Sequence, residues 1–384
     1  MKFVFTGGGT GGHFYPVIAV AEKLQARLTG APGSTADDQA DPPQEAAPLY
    51  YMAPEAYDEA LLKEVGLTYI PIPAGKVRRY FSIANFFDIF RTVGGVLKAL
   101  WKLFAIYPDV VFAKGAYGSV PVLWAARLLR IPVMIHESDS VPGRANKWAG
   151  TFATRIAVSY KEAAEHFPQE IVAHTGQPIR SHLQEPISDG SREHFGIEPE
   201  TPVLLILGGS QGAKNINSAI LNALPQLLNE YVVIHQTGED NLREVTEVAR
   251  SVLYGHEHAD RYVPRGSLDS TALARAAGIT SLVVSRAGST IFEIARWGIP
   301  SIIVPIEDSN GDHQRTNAFA YARTGAAAVI EERNLTVNVF LSEIHRILNQ
   351  PDVYKQMQAG TQAFVSPDAA ETIANELYAI AHKH

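Results

Sequence analysis

The stretch that decides the fold is FTGGGTGGH (residues 5–13), which completes the apolar run KFVF and leads into a long amphipathic segment. The apolar run predicts a β-strand and the segment at 12–28 predicts an α-helix, so the glycines lie in the turn between them. Glycines let a ligand approach the backbone closely, and a helix start presents free N–H groups and a positive dipole end. This turn is therefore predicted to bind an anion such as a diphosphate.

The same stretch satisfies the dinucleotide-binding pattern GxGxxG through Gly7, Gly9 and Gly12. NAD binding would also require an acidic residue about twenty residues further on, at the end of the second strand, to bind the ribose. The predicted second strand, LYYM (49–52), ends without one, and Glu55 already opens a predicted helix. NAD binding is therefore the weaker alternative.

Length and composition limit the classes of function. A chain of 384 residues is expected to form two domains, and 46% hydrophobic with 19% charged residues is typical of globular proteins. The net charge of −7 argues against a general nucleic-acid binder. The absence of cysteine excludes disulfides, thiolate metal sites and cysteine nucleophiles. Without a signal peptide or an uncharged apolar run of about eighteen residues, we expect a cytoplasmic protein that does not span a membrane.

Alternating strand-like and amphipathic runs predict the domain organisation. In the first half the strand-like runs are KFVF, LYYM, DVVFA and PVMIH; the pattern restarts at VLLIL (203–207) and continues through YVVIH, SLVVS and SIIVP. This alternation predicts an α/β protein with two Rossmann-like domains and parallel sheets. We place the boundary near Pro178, giving domains 1–178 and 179–367, with a C-terminal helix (368–384) that packs back on the first domain.

A second glycine-rich turn, GGSQG (208–212), follows the first strand of the second domain. It matches the GxSxG pattern of serine hydrolases, which raises an esterase alternative with Ser210 as nucleophile. The later histidine, His235, is not in the expected order with an acid, and no oxyanion-hole motif precedes the turn. The alternative function of this turn is a second anion site, with Ser210 donating to phosphate.

Polar residues also follow later strands of the second domain. Glu293, on the predicted second turn of a helix, could accept hydrogen bonds from a ribose diol, although a solvated helical glutamate has the same pattern. Gln314 and Asn317 share a helix face after SIIVP. Since open α/β sheets bind ligands at the carboxyl ends of their strands, these residues are candidates for a binding site.

In the first domain, KGAYGS (114–119) and HESDS (136–140) also follow strands. Neither HExxH nor an Asp-x-Asp pair occurs, so we predict no metal site. The charge of a leaving group would then be stabilised by backbone N–H groups, helix ends or Arg286. His13, at the start of the first helix, is either a capping and packing residue or a ligand contact.

Cations and aromatic residues are mixed in one segment, which comprises Lys76, Arg78, Arg79, Phe81, Phe86 and Phe87 and is followed by Lys98, Trp101 and Lys102. Aromatic side chains suit the headgroup region of a membrane and cations suit anionic lipids. The alternative is a core-packing helix with a charged outer face.

Taken together, the motifs resemble those of the MurG family, whose members add N-acetylglucosamine (GlcNAc) to undecaprenyl-pyrophosphoryl-muramoyl-pentapeptide in bacterial peptidoglycan synthesis. The matching blocks run in order along most of the chain: GGTGGH (8–13), GAYGS (115–119), IPVMIHE (131–137), PGRANKW (142–148), GQPIR (176–180), GGSQGAKNIN (208–217), SRAG (285–288), EIARWGIPSIIVP (293–305) and DHQRTNA (312–318).

The resemblance implies a GT-B fold, in which a cleft separates the two domains. It implies a UDP-GlcNAc donor held mainly by the second domain, a lipid-linked acceptor reached from the first, and no cofactor or metal. It also implies a single inverting displacement by the muramoyl 4-hydroxyl that converts lipid I to lipid II. Peripheral attachment to an anionic membrane at the cytoplasmic face, a cell-wall synthesis complex and roles in cell shape and division follow from the same resemblance.

The resemblance also assigns residues. Those implied in donor binding are Thr10, Gly11, Gly12, Asp139, Arg180, Ser210, Arg286, Glu293 and Gln314. Among them Glu293 would bind the ribose hydroxyls, Ser210 the diphosphate and Gln314 the sugar. His13 is the first candidate for the general base, with Glu137 and Asp139 behind it. Tyr117 joins the cationic and aromatic residues of the segment 76–87 on the acceptor and membrane side.

The chain departs from the family pattern at several positions. Ser138 and Asp139 replace the usual glutamine and asparagine, Lys114 stands where a glycine or small residue is common, and the turn before Glu293 is one residue shorter. Three alternatives therefore remain: a glycolipid glycosyltransferase, a UDP-GlcNAc 2-epimerase, or a non-catalytic UDP-sugar-binding scaffold.

Overall fold

The computed structural model describes residues 1–30, 47–75, 83–208, 213–307, 309–366 and 368–383. The chain divides into two units: unit 1 contains Met1–Arg180 and Ser366–His384, and unit 2 contains Ser181–Val365. Each unit has its own parallel sheet with helices, which confirms the predicted α/β class with two Rossmann-like halves.

The sheet of unit 1 has seven parallel strands in the order β3-β2-β1-β4-β5-β6-β7. Its strands are β1 (Phe3–Thr6), β2 (Leu49–Ala53), β3 (Leu67–Pro71), β4 (Val110–Ala113), β5 (Val133–Glu137), β6 (Arg155–Val158) and β7 (Val172–His174). All residues of β1, β4 and β5 are buried, as expected for parallel strands covered by helices on both faces. The chain order reverses between β1 and β4, so their carboxyl ends meet where such sheets bind ligands.

The helices that follow these strands are α1 (Gly11–Thr29), α2 (Glu59–Glu64), α3 (Ile83–Ile106), α4 (Ala116–Leu128), α5 (Arg144–Ala149) and α6 (Lys161–Ala164). The prediction that Glu55 opens a helix is wrong, since α2 begins four residues later. The Asp58 side chain accepts a hydrogen bond of 3.0 Å from the N–H of Leu61 and caps α2. Glu55 therefore lies in the loop after β2.

The sheet of unit 2 has six parallel strands in the order β10-β9-β8-β11-β12-β13. They are β8 (Val203–Leu207), β9 (Val232–Gln236), β10 (Tyr262–Arg265), β11 (Thr280–Ser285), β12 (Ser301–Ile303) and β13 (Ala327–Val329). The helices are α7 (Ser191–Phe195), α8 (Lys214–Leu227), α9 (Leu242–Val252), α10 (Ser270–Ile279), α11 (Thr290–Trp297), α12 (His313–Ala322), α13 (Val337–Leu348) and α14 (Pro351–Phe364). The chain order reverses between β8 and β11.

The last helix, α15 (Ala369–Lys383), belongs to unit 1 and packs on α1. Ile373 and Leu377 are fully buried in the same core cluster as Val17 and Leu24 of α1. At the edge of this contact, Arg27 Nη1 donates a 2.8 Å hydrogen bond to Asn375 Oδ1. The core of unit 1 therefore contains residues from both ends of the chain.

Candidate functional site

The glycine-rich loop of unit 1 connects β1 to α1 and is packed closely on its neighbours. A Cβ atom at Gly8 would lie 2.6 Å from Cβ of Ala116 and 3.4 Å from Nδ1 of His13. A Cβ atom at Gly118 would lie 2.5 Å from the carbonyl oxygen of Gly7. Real Cβ atoms do not approach so closely, so glycine at these positions lets the starts of α1 and α4 approach each other at the carboxyl ends of β1 and β4.

His13 lies in the first turn of α1 and its ring contacts the loop. Its Nδ1 atom is 2.8 Å from Oγ1 of Thr10, while the backbone N–H groups of His13 and Phe14 donate to the carbonyl oxygen of Thr10 at 3.0 Å each. The Thr10 side chain does not cap the helix and bonds the imidazole instead. The imidazole ring is half-buried beside the loop, where a ligand bound by the helix start would meet it.

Two residues near this loop were not predicted from the sequence. A Cβ atom at Gly9 would lie 3.9 Å from Oε2 of Glu55 and 4.0 Å from the hydroxyl of Tyr117, and one at Gly11 would lie 3.3 Å from the hydroxyl of Tyr57. The sequence predicts Tyr117 as an acceptor contact, whereas it predicts Glu55 at the start of a helix. Asp58 is a favourable residue at a helix N-terminus, and a helix that begins after it leaves Glu55 and Tyr57 in the preceding loop.

Arg180, a predicted donor contact, lies in unit 1. Its guanidinium carbon is 3.7 Å from the centroid of the Tyr15 ring, and the residue is 7% exposed. The ring of Tyr15 also contacts that of Tyr57, with centroids 5.6 Å apart. Burial is the largest cause that raises the pKa of the Tyr15 hydroxyl, with the nearby Tyr57 adding to it and Arg180 opposing it. Arg180 is thus held beside Tyr15, near the start of α1.

Glu137 ends β5 and organises the turn that follows it. Its Oε1 accepts from the N–H of Asp139 at 2.9 Å, and its Oε2 accepts from the N–H of Gly143 at 3.0 Å and Nδ2 of Asn146 at 2.9 Å. Burial, followed by the charge of Asp139, raises the pKa of this carboxyl despite the three donors. Both oxygens of Glu137 are therefore engaged within unit 1, and Asp139 is held half-buried on the turn.

The predicted diphosphate contact Ser210 of unit 2 lies outside the described residues. So do four residues of the predicted membrane segment of unit 1, namely Lys76, Arg78, Arg79 and Phe81. The described flanks of the Ser210 turn are Gly208, directly after β8, and Ala213, directly before α8. They lie at the carboxyl end of β8, next to that of β11.

Arg286 follows β11 and is engaged within unit 2. Its Nη1 donates to the carbonyl oxygen of Val304 at 3.1 Å, and its Nη2 donates to Oε1 of Glu332. Burial alone would raise the pKa of the Glu332 carboxyl, but the hydrogen bonds from Arg286 and Asn215 and the charge of Arg286 lower it. Arg286 therefore holds the ends of β11 and β12 together.

Glu293 and Gln314 lie at the carboxyl ends of neighbouring strands. Glu293 lies in the first turn of α11, not in the second as predicted, so it is closer to the helix start. Gln314 Oε1 accepts from the N–H of Ile306 at 3.2 Å. Asn317 is buried, and its Nδ2 donates to the carbonyl oxygen of Ala287 at 3.1 Å, which joins α12 to the turn before α11. Because β11 and β12 are neighbours, the two predicted donor residues lie at the same edge of the sheet.

The geometry of His235 argues against the esterase alternative. Its Nδ1 is 2.9 Å from the hydroxyl of Tyr262 and its Nε2 is 3.1 Å from Oδ1 of Asn217. The imidazole is fully buried, and burial lowers its pKa to about 3. Since both nitrogens are engaged in the core, His235 cannot act as the base for Ser210.

The surface of unit 1 carries a large apolar face on α3. Seven of its apolar side chains are between 60% and 68% exposed, namely Phe86, Phe87, Ile89, Phe90, Leu97, Trp101 and Phe104. The opposite face of α3 is buried through Ala99 and Leu103. Within the described residues, no helix is both long and apolar enough to cross a membrane. No cluster of three or more potential metal ligands was found among the described residues either.

Comparison with known proteins places the whole chain in one family. The N-terminal domain model of glycosyltransferase family 28 matches residues 3–31 and 44–158, and the C-terminal domain model matches residues 203–373. A relative from Bacillus cereus, named UDP-N-acetylglucosamine–N-acetylmuramyl-(pentapeptide) pyrophosphoryl-undecaprenol N-acetylglucosamine transferase 2, is 34% identical over 98% of this chain and 99% of its own. The chain belongs to the MurG family.

Membership in the MurG family confirms the resemblance that the motifs indicated, and it makes the chain a glycosyltransferase of family 28. The crystal structure of MurG from Acinetobacter baumannii has a TM-score of 0.71 with this chain at 24% identity, covering 99% of this chain and 100% of that one. This likeness confirms the two-domain GT-B type of fold.

Fold alone does not separate the MurG family from one of the predicted alternatives. A UDP-GlcNAc 2-epimerase from Neisseria meningitidis, solved with UDP-GlcNAc bound, has a TM-score of 0.69 at 13% identity, covering 99% of this chain and 100% of that one. Sequence identity separates the two families. It is 34% with the Bacillus cereus transferase and 13% with the Neisseria meningitidis epimerase.

Proposed function

We propose that this chain transfers GlcNAc from UDP-GlcNAc to the muramoyl 4-hydroxyl of undecaprenyl-pyrophosphoryl-MurNAc-pentapeptide, a step of peptidoglycan synthesis. The observation that carries the proposal is the His13 imidazole, held by Thr10 at the start of α1 beside the packed glycine loop. The name of the Bacillus cereus relative supports the choice of donor and acceptor.

His13 is the proposed general base. When Nδ1–H donates to Thr10 Oγ1, the proton lies on Nδ1 and the lone pair of the ring lies on Nε2. Nε2 then accepts the proton of the acceptor hydroxyl as its oxygen forms a bond to the anomeric carbon of GlcNAc. The bond from that carbon to the diphosphate breaks on the opposite side, so UDP leaves and the configuration inverts.

The other two candidates for the base have less suitable surroundings. Glu137 accepts two hydrogen bonds from the turn that follows it and one from Asn146 of α5, so protonating it would disrupt the fold of this segment. Asp139 is half-buried on the same turn and stays the second candidate. We propose that Glu137 positions Asp139, and that Asp139 contacts the transferring sugar.

We propose that unit 2 binds the donor through Glu293 on the ribose, Gln314 on the sugar and Ser210 on the diphosphate. Glu293 and Gln314 lie at the sheet edge where such folds bind nucleotides, which supports this assignment. Thr10, Gly11 and Gly12 of the glycine loop, together with Arg180 and Arg286, complete the proposed donor-binding set.

The test compares His13→Ala with His166→Ala, an exposed histidine of the same unit that serves as a control. In an assay with UDP-GlcNAc and the lipid-linked muramoyl acceptor, we expect kcat of His13→Ala to fall by about 10²- to 10⁴-fold, with unchanged donor affinity. Unchanged kcat would reject His13 as the base. Formation of the 2-epimer of UDP-GlcNAc without acceptor would reject the transferase proposal altogether.

We further propose that α3 docks unit 1 on the cytoplasmic face of an anionic plasma membrane. Large exposed apolar patches mark sites of membrane or protein binding, and Arg91, Lys98 and Lys102 lie on the same helix as the exposed apolar face. The neighbouring α4 adds the exposed residues Trp124 and Leu128. Such docking would bring the glycine loop to an acceptor anchored in lipid.

A further inference from the structure

Lys114 is a buried lysine directly after β4 that the proposed chemistry does not use. It is 2% exposed, and its backbone N–H donates to the carbonyl oxygen of Thr6 at 2.9 Å, beside the glycine loop. Its Nζ atom lies 2.6 Å from Nδ1 of His136 and 3.4 Å from Oε1 of Gln177, and it also donates to Oγ of Ser138. Three acceptors match the three donors of an ammonium group.

These acceptors come from separate segments of unit 1. His136 is the second-to-last residue of β5 and Ser138 begins the turn after it, whereas Gln177 lies beyond β7 on the segment that leads to unit 2. Oε1 of Gln177 also accepts from Oγ of Ser138 at 3.0 Å and from Oγ of Ser159, which follows β6, at 2.8 Å. One hydrogen-bond network thus joins the ends of three strands to the exit segment.

The network lies where the chain leaves unit 1 and where it returns. Nε2 of His136 is 3.0 Å from the carbonyl oxygen of Gly176. Gly176 has a φ of +84°, and a Cβ atom there would lie 2.5 Å from Cβ of Ser366, the first residue of the returning segment. Gly176 therefore has to be glycine for both its conformation and its close contact.

The charges around Lys114 fit this arrangement. Burial lowers the pKa of the Lys114 ammonium to about 7, and the carboxylates of Glu137 and Asp139 oppose that shift. Burial and the adjacent Lys114 keep the pKa of His136 well below its usual value, so this histidine is neutral. A neutral ring accepts from Lys114 at Nδ1 and donates from Nε2 to Gly176, which is the geometry observed.

We propose that Lys114 is a positioning residue that fixes the exit segment 176–180 and the turn carrying Asp139 in one arrangement. It acts through Gln177 and His136 on the exit segment, which ends at Arg180, and through Ser138 on the turn. Its effect on turnover rests on the proposed function, because Arg180 and Asp139 are proposed to contact the substrates. Its effect on the exit segment does not depend on that function.

The first test measures amide hydrogen exchange of the full-length protein by mass spectrometry. Lys114→Met keeps the length of the side chain but removes its donors, and Lys161→Met, at an exposed site of the same unit, is the matched control. We expect peptides covering 175–180 to exchange about tenfold faster in Lys114→Met and at the wild-type rate in Lys161→Met. The exchange rates of peptides from β8 should equal those of the wild-type protein in both variants. Wild-type exchange at 175–180 in Lys114→Met would overturn the proposal.

A second pair of variants tests the link from the side of the exit segment. Gln177→Leu should accelerate exchange at 175–180 as Lys114→Met does, and Gln177→Glu, which keeps an acceptor for Lys114, should not. Combining Lys114→Met with Gln177→Leu should add little to either single change, since contacting partners are not additive. Fully additive effects would show that the two residues act separately and would overturn the proposal. If Lys114→Met does not fold, the Gln177 pair alone decides the outcome.

The third test separates this inference from the proposed function. With the lipid-linked acceptor, Lys114→Met should lower kcat by about tenfold, since small misplacements of contacting groups slow turnover, while KM for UDP-GlcNAc stays within about twofold. If the wild-type protein makes no product, the proposed function fails and the exchange results still decide the role of Lys114. If the wild-type protein and Lys114→Met turn over equally, the positioning role fails and the proposed function stands.

Discussion

At the scale of single residues, the site combines positions specified by local sequence with positions specified by packing. The loop glycines and His13 could be predicted because a strand, a glycine-rich turn and a helix are contiguous in the chain. The positions of Glu55 and Tyr57 beside Gly9 and Gly11 could not, because they depend on how β2 pairs with β1. The network around Lys114 likewise joins residues up to 63 positions apart.

Lys114 should make the stability of the protein depend on pH. Its pKa in the folded state is about 7, below that of a solvated lysine, so between these values the unfolded chain binds more protons than the folded one. The free energy of unfolding should therefore rise with pH from about 7 upward, and the contribution is lost as pH falls through 7. The slope should exceed that of Lys114→Met by up to about 1.4 kcal/mol per pH unit.

Urea denaturation of both proteins at several pH values between about 6 and 9 measures this difference. Asp139→Asn is an informative companion, because the Asp139 carboxylate raises the pKa of Lys114. Its removal should move the onset of the rise to lower pH. Parallel curves for wild type and Lys114→Met would mean that Lys114 does not titrate in this range in the folded protein.

At the scale of elements, the long apolar runs could be predicted and the short mixed ones could not. The strands β1, β4, β5 and β8 are continuous buried runs, which is the pattern expected for central parallel strands. The strands β3, β6, β7 and β10 are three to five residues long and include polar or exposed positions, so their sequences resemble loops. The strand β13 has only three residues, and all of them are half-buried. These segments become strands because each forms hydrogen bonds with a neighbouring strand of the sheet.

The exposed face of α3 makes a prediction about lipid binding. Phe90→Ser combined with Trp101→Ser should weaken binding to anionic vesicles at least about tenfold, since each aromatic side chain contributes roughly 1.5 kcal/mol or more when it leaves water. Tyr254→Ser is the control, because Tyr254 is 92% exposed but lies in unit 2. Co-sedimentation with vesicles at increasing salt concentration measures how much the apolar side chains and the charged side chains each contribute to lipid binding.

We expect binding of the wild-type protein to require anionic lipid and to weaken as salt is added. Binding that survives both aromatic substitutions unchanged would move the docking surface away from α3. Failure of the wild-type protein to bind at any salt concentration would refute docking itself.

At the scale of the whole molecule, each unit has a core that the other does not share. The two sheets follow the same strand order around β1 and β8, which is why the restarting pattern of the sequence predicts two similar halves. The sequence pattern does not show which residues complete the core of each unit. The polar segment at 175–200 contains both the exit from unit 1 and the first helix of unit 2, α7, so composition alone does not locate the division.

The assignment of α15 to unit 1 can be tested by local stability. Leu377→Ala removes a fully buried side chain from the contact with α1 and should cost about 2–5 kcal/mol. Hydrogen exchange should accelerate in β1 to β7 and stay unchanged in β8 to β13. Ile347→Ala, which removes a fully buried side chain of α13, is the reciprocal control and should affect unit 2 alone. Equal loosening of both units by Leu377→Ala would indicate that they unfold as one.

The return of α15 to α1 also sets an order of events during synthesis. Unit 2 lies between the two segments of unit 1, so the ribosome has made all of unit 2 before it makes Ile373 and Leu377. At about 5–20 residues per second, the segment that ends at Arg180 waits on the order of 10–40 s for this last helix. During that interval the apolar side of α1 lacks its partner, so the nascent first half of the chain exposes apolar surface on which aggregation or chaperone binding can occur.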